Sequence, residues 1–258
     1  MRLALVRWAL ILGVVSLFSE PLFADDAHIT VAAAADLRGA LDQVVTQYQI
    51  AHPDSKIDVI YGSSGNLTTQ IEQGAPFELF FSADSSFPER LVEHGKASGK
   101  PVQYAEGHIV LWSASIDMKG VQVKDLSQTR FGHIAIANPL HAPYGKRAEQ
   151  ALRASGIWDD VQSRLVIGEN IAQTAQYVQT GNAQVGFVAE SFAMNPAIKG
   201  SYIAVPASLY EPLRQSLVLT QRGGNSELAK SFMSYVQSPE ARALLAKYGF
   251  ALPAAAAP

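Results

Sequence analysis

Hydroxyl and backbone N–H donors come together in the turn Gly62-Ser63-Ser64-Gly65, which separates the strand-like run IDVIY from an amphipathic helical pattern. The first N–H groups of a helix have no partner within the helix, and they carry a partial positive charge. With the hydroxyls of Ser63 and Ser64 beside them, these groups can hold a tetrahedral oxyanion without a lysine or an arginine. An ordinary serine-rich turn is the alternative interpretation.

Three further turns also follow a strand pattern and precede a helical one. The first contains Ala35 and Asp36, whose backbone N–H groups lie beside small side chains, although Asp36 is also typical of a helix N-cap. The second contains Tyr144 in the first turn of a helix, where its phenol either reaches a ligand or packs against the helix. The third contains Ile171, which offers only its backbone N–H. The four turns are therefore the candidate binding elements.

Signatures of catalysis and of cofactors are weak in this sequence. The Gly-Ser-Ser-Gly turn lacks the G-x-S-x-G spacing of a nucleophile elbow, and the six histidines form no HExxH pair. There are no cysteines for thiolate metal sites or disulfides, and no glycine-rich nucleotide loop. We therefore expect no enzyme, no catalytic residue and no cofactor. An exported hydrolase that uses Ser64 as its nucleophile is an alternative from a different class.

The elements that must position these turns alternate between strand and helix along the chain. The predicted strands cover residues 29–35, 57–61, 78–82, 108–113, 133–137, 164–168, 184–188 and 215–221. Such alternation predicts an α/β protein with mainly parallel sheets, and the number of strands favours two lobes over a single sheet. Sheets of this kind bind ligands beyond the carboxyl ends of their strands, where the candidate turns lie.

The N-terminus has the pattern of a secretory signal peptide over residues 1–24. Arg2 and Arg7 flank the start of an apolar run, and the small residue Ala24 precedes two aspartates. The run is short for a membrane span, although an uncleaved anchor is the alternative. Cleavage would leave a net charge of about −4, and no basic stripe is present. We therefore expect export and no nucleic-acid partner.

Several of these segments, notably GAPFELFFSAD and NPLHAPYG, resemble the periplasmic molybdate-binding proteins of bacterial ABC transporters. The resemblance extends from Ile29 to Pro253. It implies a two-lobed type II periplasmic-binding-protein fold, in which each lobe is a mainly parallel sheet flanked by helices and the ligand lies in the cleft between the lobes. Lobe I would comprise residues 25–106 plus 216–258, and lobe II residues 107–215.

The resemblance also implies the ligand and the partners. Molybdate or tungstate would be held by neutral hydrogen bonds, and molybdenum would be present only as the bound oxyanion. The implied binding residues are Ala35, Asp36, Ser63, Ser64, Tyr144 and Ile171. The partner would be an ABC permease in the inner membrane that reads the closed form of a monomeric periplasmic protein.

Two positions depart from the pattern of this family. Asp36 stands where relatives often have a serine or an asparagine, and an ionised carboxylate cannot donate a hydrogen bond. We expect its side chain to turn away and cap the helix, which leaves the backbone N–H to the anion. Ala189 stands where some members have a tyrosine, and Tyr144 is expected to supply that phenol.

Selectivity follows from the donors. A site that has only donors rejects protonated phosphate, whose own O–H needs an acceptor. Sulfate has the same charge and shape as molybdate, so its rejection depends on the size of the cavity. A binding protein for sulfate or another tetrahedral oxyanion therefore stays open as an alternative.

Overall fold

The structure is a computed structural model that describes residues 28–195 and 197–253. The predicted signal peptide, residues 1–24, lies outside the described residues. Within these two ranges, no helix combines the length and the apolar character needed to cross a membrane.

Strands and helices alternate along the described chain, as the sequence predicts. In chain order, the strands are β1 (His28–Ala34), β2 (Lys56–Gly62), β3 (Leu79–Ser82), β4 (Ala97–Gly107), β5 (Ile109–Ser113), β6 (Ile134–Ala137), β7 (Leu165–Gly168), β8 (Val185–Ala189), β9 (Ser201–Ala204) and β10 (Leu213–Thr220). The α-helices are α1 (Ala40–Ala51), α2 (Ser64–Glu72), α3 (Ser86–Glu93), α4 (Pro143–Ala154), α5 (Trp158–Val161), α6 (Ile171–Gln179), α7 (Glu190–Ala193), α8 (Glu227–Val236) and α9 (Pro239–Lys247).

The strands form two separate five-stranded sheets, which define the two lobes. The sheet of lobe I has the order β2-β1-β3-β10-β4, and the sheet of lobe II has the order β7-β6-β8-β5-β9. The chain passes from lobe I to lobe II between β4 and β5, and it returns between β9 and β10. The predicted two-lobed α/β fold is confirmed.

Each sheet is mixed, which corrects the prediction of mainly parallel sheets. In lobe I, β1 runs parallel to β2 and β3, whereas β10 is antiparallel to β3 and β4. In lobe II, β6 runs parallel to β7 and β8, whereas β5 is antiparallel to β8 and β9. The first strands after each crossover, β5 and β10, enter their sheets against the direction of the parallel strands.

Apolar side chains on both faces of the sheets form the cores. In lobe I, one buried cluster lies between the sheet and helices α1, α8 and α9, and a second one lies under α2 and α3. The carboxyl ends of β1, β2, β6 and β7 each lead into one of the candidate turns. Because these strands are packed in the two sheets, the turns that follow them are held at fixed positions at the sheet ends.

Candidate functional site

The first turn differs from its prediction. Residues Ala35–Leu37 form a short 3-10 helix, and α1 begins only at Ala40, after Gly39 with a φ of 73°. Asp36 caps no helix, so the expectation that its side chain turns away is wrong. Its Oδ2 instead accepts hydrogen bonds from the Tyr144 hydroxyl at 3.0 Å and from Gln215 Nε2 at 2.7 Å. Two hydrogen bonds to a buried carboxylate stabilise this orientation more than a helix cap would. Gly39 also separates Asp36 from the start of α1.

A buried polar network surrounds Asp36. Gln215 Oε1 accepts from the Tyr104 hydroxyl at 2.7 Å, and Gln215 Nε2 lies 3.2 Å from the Tyr144 oxygen. The four side chains are at most 3% exposed. Asp36 Oδ1 is also buried, and it has no hydrogen-bond partner among the described residues. The network therefore leaves one carboxyl oxygen unsatisfied.

Burial controls the protonation of this network. It raises the pKa of Asp36 from 3.8 to about 6, although hydrogen bonds from Gln215 and Tyr144 act in the opposite direction. Burial also holds the pKa values of Tyr144 and Tyr104 well above their usual range, and the Asp36 charge adds to this effect. Both phenols are therefore neutral donors near neutral pH.

The second turn begins helix α2 and carries two buried serines. Ser64 Oγ accepts the N–H of Ala83 at 3.1 Å, which fixes the hydroxyl and leaves its own proton available to a ligand. Ser63 Oγ lies 2.9 Å from His141 Nδ1. In the His141 tautomer with the proton on Nδ1, this N–H donates a hydrogen bond to Ser63 Oγ. The serine hydroxyl can then donate its own proton to a ligand.

The third and fourth turns begin helices of lobe II. Tyr144 lies in the first turn of α4. This turn lies so close to β6 that a Cβ at Gly145 would be 2.0 Å from the Ala137 oxygen, so the close approach requires glycine at position 145. Asn170 Oδ1 caps α6 by accepting from the N–H groups of Ala172 and Gln173. The cap therefore does not occupy the N–H of Ile171.

All four turns lie where the two lobes meet. Ala35 and Ala83 of lobe I belong to the same buried apolar cluster as Tyr144 and Ile171 of lobe II. The Ser191 hydroxyl of lobe II also donates to the Asp36 backbone oxygen at 2.8 Å. The structure thus brings the six predicted residues to one interlobe region, and their contact with a ligand stays a prediction.

A second set of contacts joins the lobes beside the serine turn. The Gly65 N–H donates to the His141 backbone oxygen at 2.9 Å, and the Asn66 amide donates to the Glu169 carboxylate. His141 Nε2 lies 3.6 Å from Glu169 Oε1. We call these four residues the interlobe clasp.

An ion pair joins the lobes further along α4. Arg147 Nη2 lies 2.7 Å from Asp84 Oδ2, and Arg147 also donates to the backbone oxygens of Glu211 and Pro212 near the return crossover. The side chain of Arg147 is 6% exposed. This pair ties a turn of lobe I to a helix of lobe II and to the connection between them.

Sequence reasoning missed several of these residues. His141 lies inside one of the predicted turns, and its position three residues before Tyr144 was the available signal. Gln215 begins a predicted strand run, where a polar residue signals either a strand end or a buried partner. Nothing local indicates that Tyr104 belongs to the site, since it is part of an unpredicted strand.

The comparisons with known proteins agree with this architecture. The family of bacterial extracellular solute-binding proteins matches residues 29–251. The molybdate-binding protein ModA of Azotobacter vinelandii is 38% identical over 232 residues, which cover 89% of this chain and 92% of that protein. ModA of Rhodobacter capsulatus is 42% identical over 194 residues, which cover 74% of this chain and 75% of that protein.

Solved structures show the same relationship. The periplasmic molybdate-binding protein of Azotobacter vinelandii superposes with a TM-score of 0.81 at 35% identity, covering 87% of this chain and 99% of that one. The sulfate-binding protein SubI of Mycobacterium tuberculosis shares the fold at 15% identity, with a TM-score of 0.72 over 87% of this chain and 86% of that one. The chain belongs to the bacterial extracellular solute-binding protein family and, within it, to the group of the ModA molybdate-binding proteins.

Proposed function

We propose that this protein captures molybdate and tungstate in the periplasm and delivers them to an ABC permease for import. The observation that carries the proposal is the buried meeting of four strand-to-helix turns between two lobes. The names of the relatives supply the identity of the oxyanion. The protein acts as a monomer without a cofactor, it catalyses no reaction, and residues 1–24 direct its export.

The ligand is held through its oxygen atoms. The hydroxyls of Ser63 and Ser64 donate from lobe I, and the backbone N–H of Ile171 donates from lobe II. The backbone N–H groups of Ala35 and Asp36 complete the set in the first turn. The Tyr144 hydroxyl, expected from the sequence to donate to the ligand, instead donates its single proton to Asp36 Oδ2 and positions that carboxyl. Molybdenum itself makes no bond to the protein, so molybdate and tungstate, which present the same four oxygens, both bind.

Closure of the lobes reports that the ligand is present. The ligand bridges donors from both lobes, so it favours the arrangement in which the interlobe clasp is formed. A permease that contacts both lobes binds this arrangement in preference to the open one.

Isothermal titration with molybdate, tungstate, sulfate and phosphate tests the proposal. We expect tight binding of molybdate and tungstate and weak or no binding of the other two anions. No heat with molybdate, or tighter binding of sulfate, would refute the proposal. The sulfate alternative and the molybdate proposal are thus separated in one series.

The hydrolase alternative is not favoured. Ser64 Oγ accepts from the Ala83 N–H, and no general base contacts this hydroxyl among the described residues. Incubation with generic ester substrates is expected to give no turnover. Turnover that disappears in Ser64→Ala would favour the hydrolase instead.

A further inference from the structure

Asp36 places a carboxyl group where the proposed ligand needs hydrogen-bond donors. Its side chain is 3% exposed and lies between the lobes, since it contacts Tyr144 of lobe II and Gln215 of lobe I. An ionised carboxylate beside a dianion repels it strongly in a site of low dielectric constant. The following inference rests on the proposed function and concerns how this conflict is resolved.

The hydrogen bonds of Asp36 determine which oxygen can carry a proton. Oδ2 already accepts from Tyr144 and from Gln215. The Gln215 amide cannot simply rotate, because its Oε1 accepts from Tyr104. Oδ1 is buried without a partner. A proton on Oδ1 therefore disturbs none of the existing bonds, and it creates a donor that no described protein group accepts.

Among the described residues, no cationic side chain contacts the Asp36 carboxyl. Tyr144 on α4 and Tyr104 on β4 face the carboxyl as neutral phenols, and α7 contributes Ser191 to the Asp36 backbone oxygen. Arg38, two residues along the chain, lies with its guanidinium 4.4 Å from the centre of the Tyr61 ring.

Two carboxylates belong to the lobe II elements that approach this turn. Glu169 precedes α6 and contacts Asn66 and His141, and Glu190 begins α7. Both groups are negative when ionised, so they add no cation to neutralise Asp36. Protonation of Asp36 is the remaining way to remove its charge.

We propose that Asp36 binds the oxyanion in its protonated form, so that capture of one molybdate dianion takes up one proton from solution. The Oδ1–H group donates to an oxygen of the ligand, while Oδ2 keeps its bonds to Tyr144 and Gln215. No covalent bond changes in the ligand. Asp36 thus becomes the donor that an asparagine or serine would supply without any proton.

The raised pKa of Asp36, about 6 without ligand, supports this inference. A neighbouring dianion raises this pKa further, because it disfavours the charged carboxylate. Above the pKa of the free protein, the fraction of protonated Asp36 falls about tenfold for each pH unit. The affinity for molybdate falls with the same slope, which gives a loss of about 50-fold between about pH 6 and about pH 8.

Titration calorimetry with micromolar molybdate tests the inference in two ways. In buffers of different ionisation enthalpy at about pH 8, we expect wild-type protein to take up close to one proton for each molybdate bound. Comparison with the Asp36→Asn variant assigns this uptake to Asp36. In Asp36→Asn, the amide donates at every pH, so the uptake should disappear and the affinity should change less than about twofold across the same range. Asp58→Asn is the matched control. It removes a carboxylate of β2 that pairs with His28 of β1, and it should keep the wild-type profile.

The outcomes separate this inference from the proposed function. Binding of molybdate with no proton uptake and no pH dependence would overturn the inference and leave the function in place. Tighter binding of hydrogen phosphate than of molybdate would also overturn it, because Asp36 would then act as an ionised acceptor. No binding of molybdate by wild type or by Asp36→Asn would refute the function itself.

Discussion

Replacement of Gly65 by alanine is expected to hold the two lobes apart. Gly65 lies in the first turn of α2, and a Cβ at this position would lie 2.8 Å from the His141 backbone oxygen and 2.9 Å from its Cα. Ordinary contacts of such atoms begin near 3.5 Å, so the lobes would have to separate by roughly 0.6 Å or more. Glycine is needed here because of this close approach across the lobes.

The size of the effect follows from two contributions. An added methyl group in a packed contact destabilises it by about 1–3 kcal/mol. The hydrogen bond from the Gly65 N–H to the His141 oxygen is lost as well, which adds about 0.5–1.5 kcal/mol. Together they disfavour the closed form by about 2–4 kcal/mol, and the affinity for molybdate should fall by about 30-fold to about 1000-fold.

Two measurements check this expectation. Titration calorimetry gives the affinity, and small-angle X-ray scattering gives the decrease in the radius of gyration on addition of molybdate. The decrease should be smaller in Gly65→Ala than in wild type. Alanine favours helix over glycine by about 0.5–1 kcal/mol, so the ligand-free variant should melt no earlier than wild type.

Asn66→Ala is the matched control at the neighbouring position. It removes the interlobe hydrogen bond to Glu169 but adds no atom to the contact. We expect a loss of affinity of about threefold or less, because the bond is exposed. Wild-type affinity and wild-type compaction in Gly65→Ala would show that the lobes do not close by the contact described.

Three further expectations concern single side chains. Ser64→Ala should weaken molybdate binding by about 1.5–3 kcal/mol, measured by titration, because a buried donor to a charged ligand is lost. Asp36, whose pKa burial raises to about 6, should contribute stability that is complete below about pH 4 and is lost as the pH rises through about 6. The free energy of unfolding of wild type, relative to that of Asp36→Asn, should therefore fall by about 3 kcal/mol from the low end to the high end of that pH range, measured by denaturant unfolding. Asp84→Ala should cost about 3 kcal/mol and lower the melting temperature by roughly 6–12 °C, because Arg147 stays buried without its partner.

Thr69→Ala removes an exposed hydroxyl from the same helix as Ser64 and should leave molybdate affinity unchanged. Equal affinity of Ser64→Ala and wild type would move the site away from α2. A difference between wild type and Asp36→Asn that does not vary with pH would mean that Asp36 does not titrate in this range. An unchanged melting temperature of Asp84→Ala would show that the ion pair is solvated in solution.

Most strands were predictable because they are short apolar runs bounded by turn residues. The two that were missed, β4 and β9, are the strands at one edge of each sheet. β4 contains Gly99, Lys100 and Pro101, which an edge strand tolerates because one side of its backbone has no neighbour. β9 has only four residues, and they alternate between partly buried and exposed. Local sequence carries little signal for such strands.

The candidate site was predictable only in its local part. A strand followed by small or hydroxyl residues and a helix can be read from neighbouring positions, and this placed Ser63, Ser64 and Ile171 at helix N-termini. The bonding of Asp36 could not be read in this way, because Tyr144 and Gln215 are 108 and 179 residues away along the chain. Local propensity favoured a cap, and the tertiary structure provided stronger partners.

The position of β10 has a consequence for the order of folding. The strands of lobe II come from one continuous stretch of chain, whereas β10 arrives after them and pairs with both β3 and β4 of lobe I. During synthesis, lobe II can therefore complete its sheet while lobe I still has two strands with unpaired edges. Gln215 enters with β10, so the bond to Asp36 forms only in the last stage. A partly synthesised chain that lacks β10 therefore has the four candidate turns but not the buried partner that holds the Asp36 side chain.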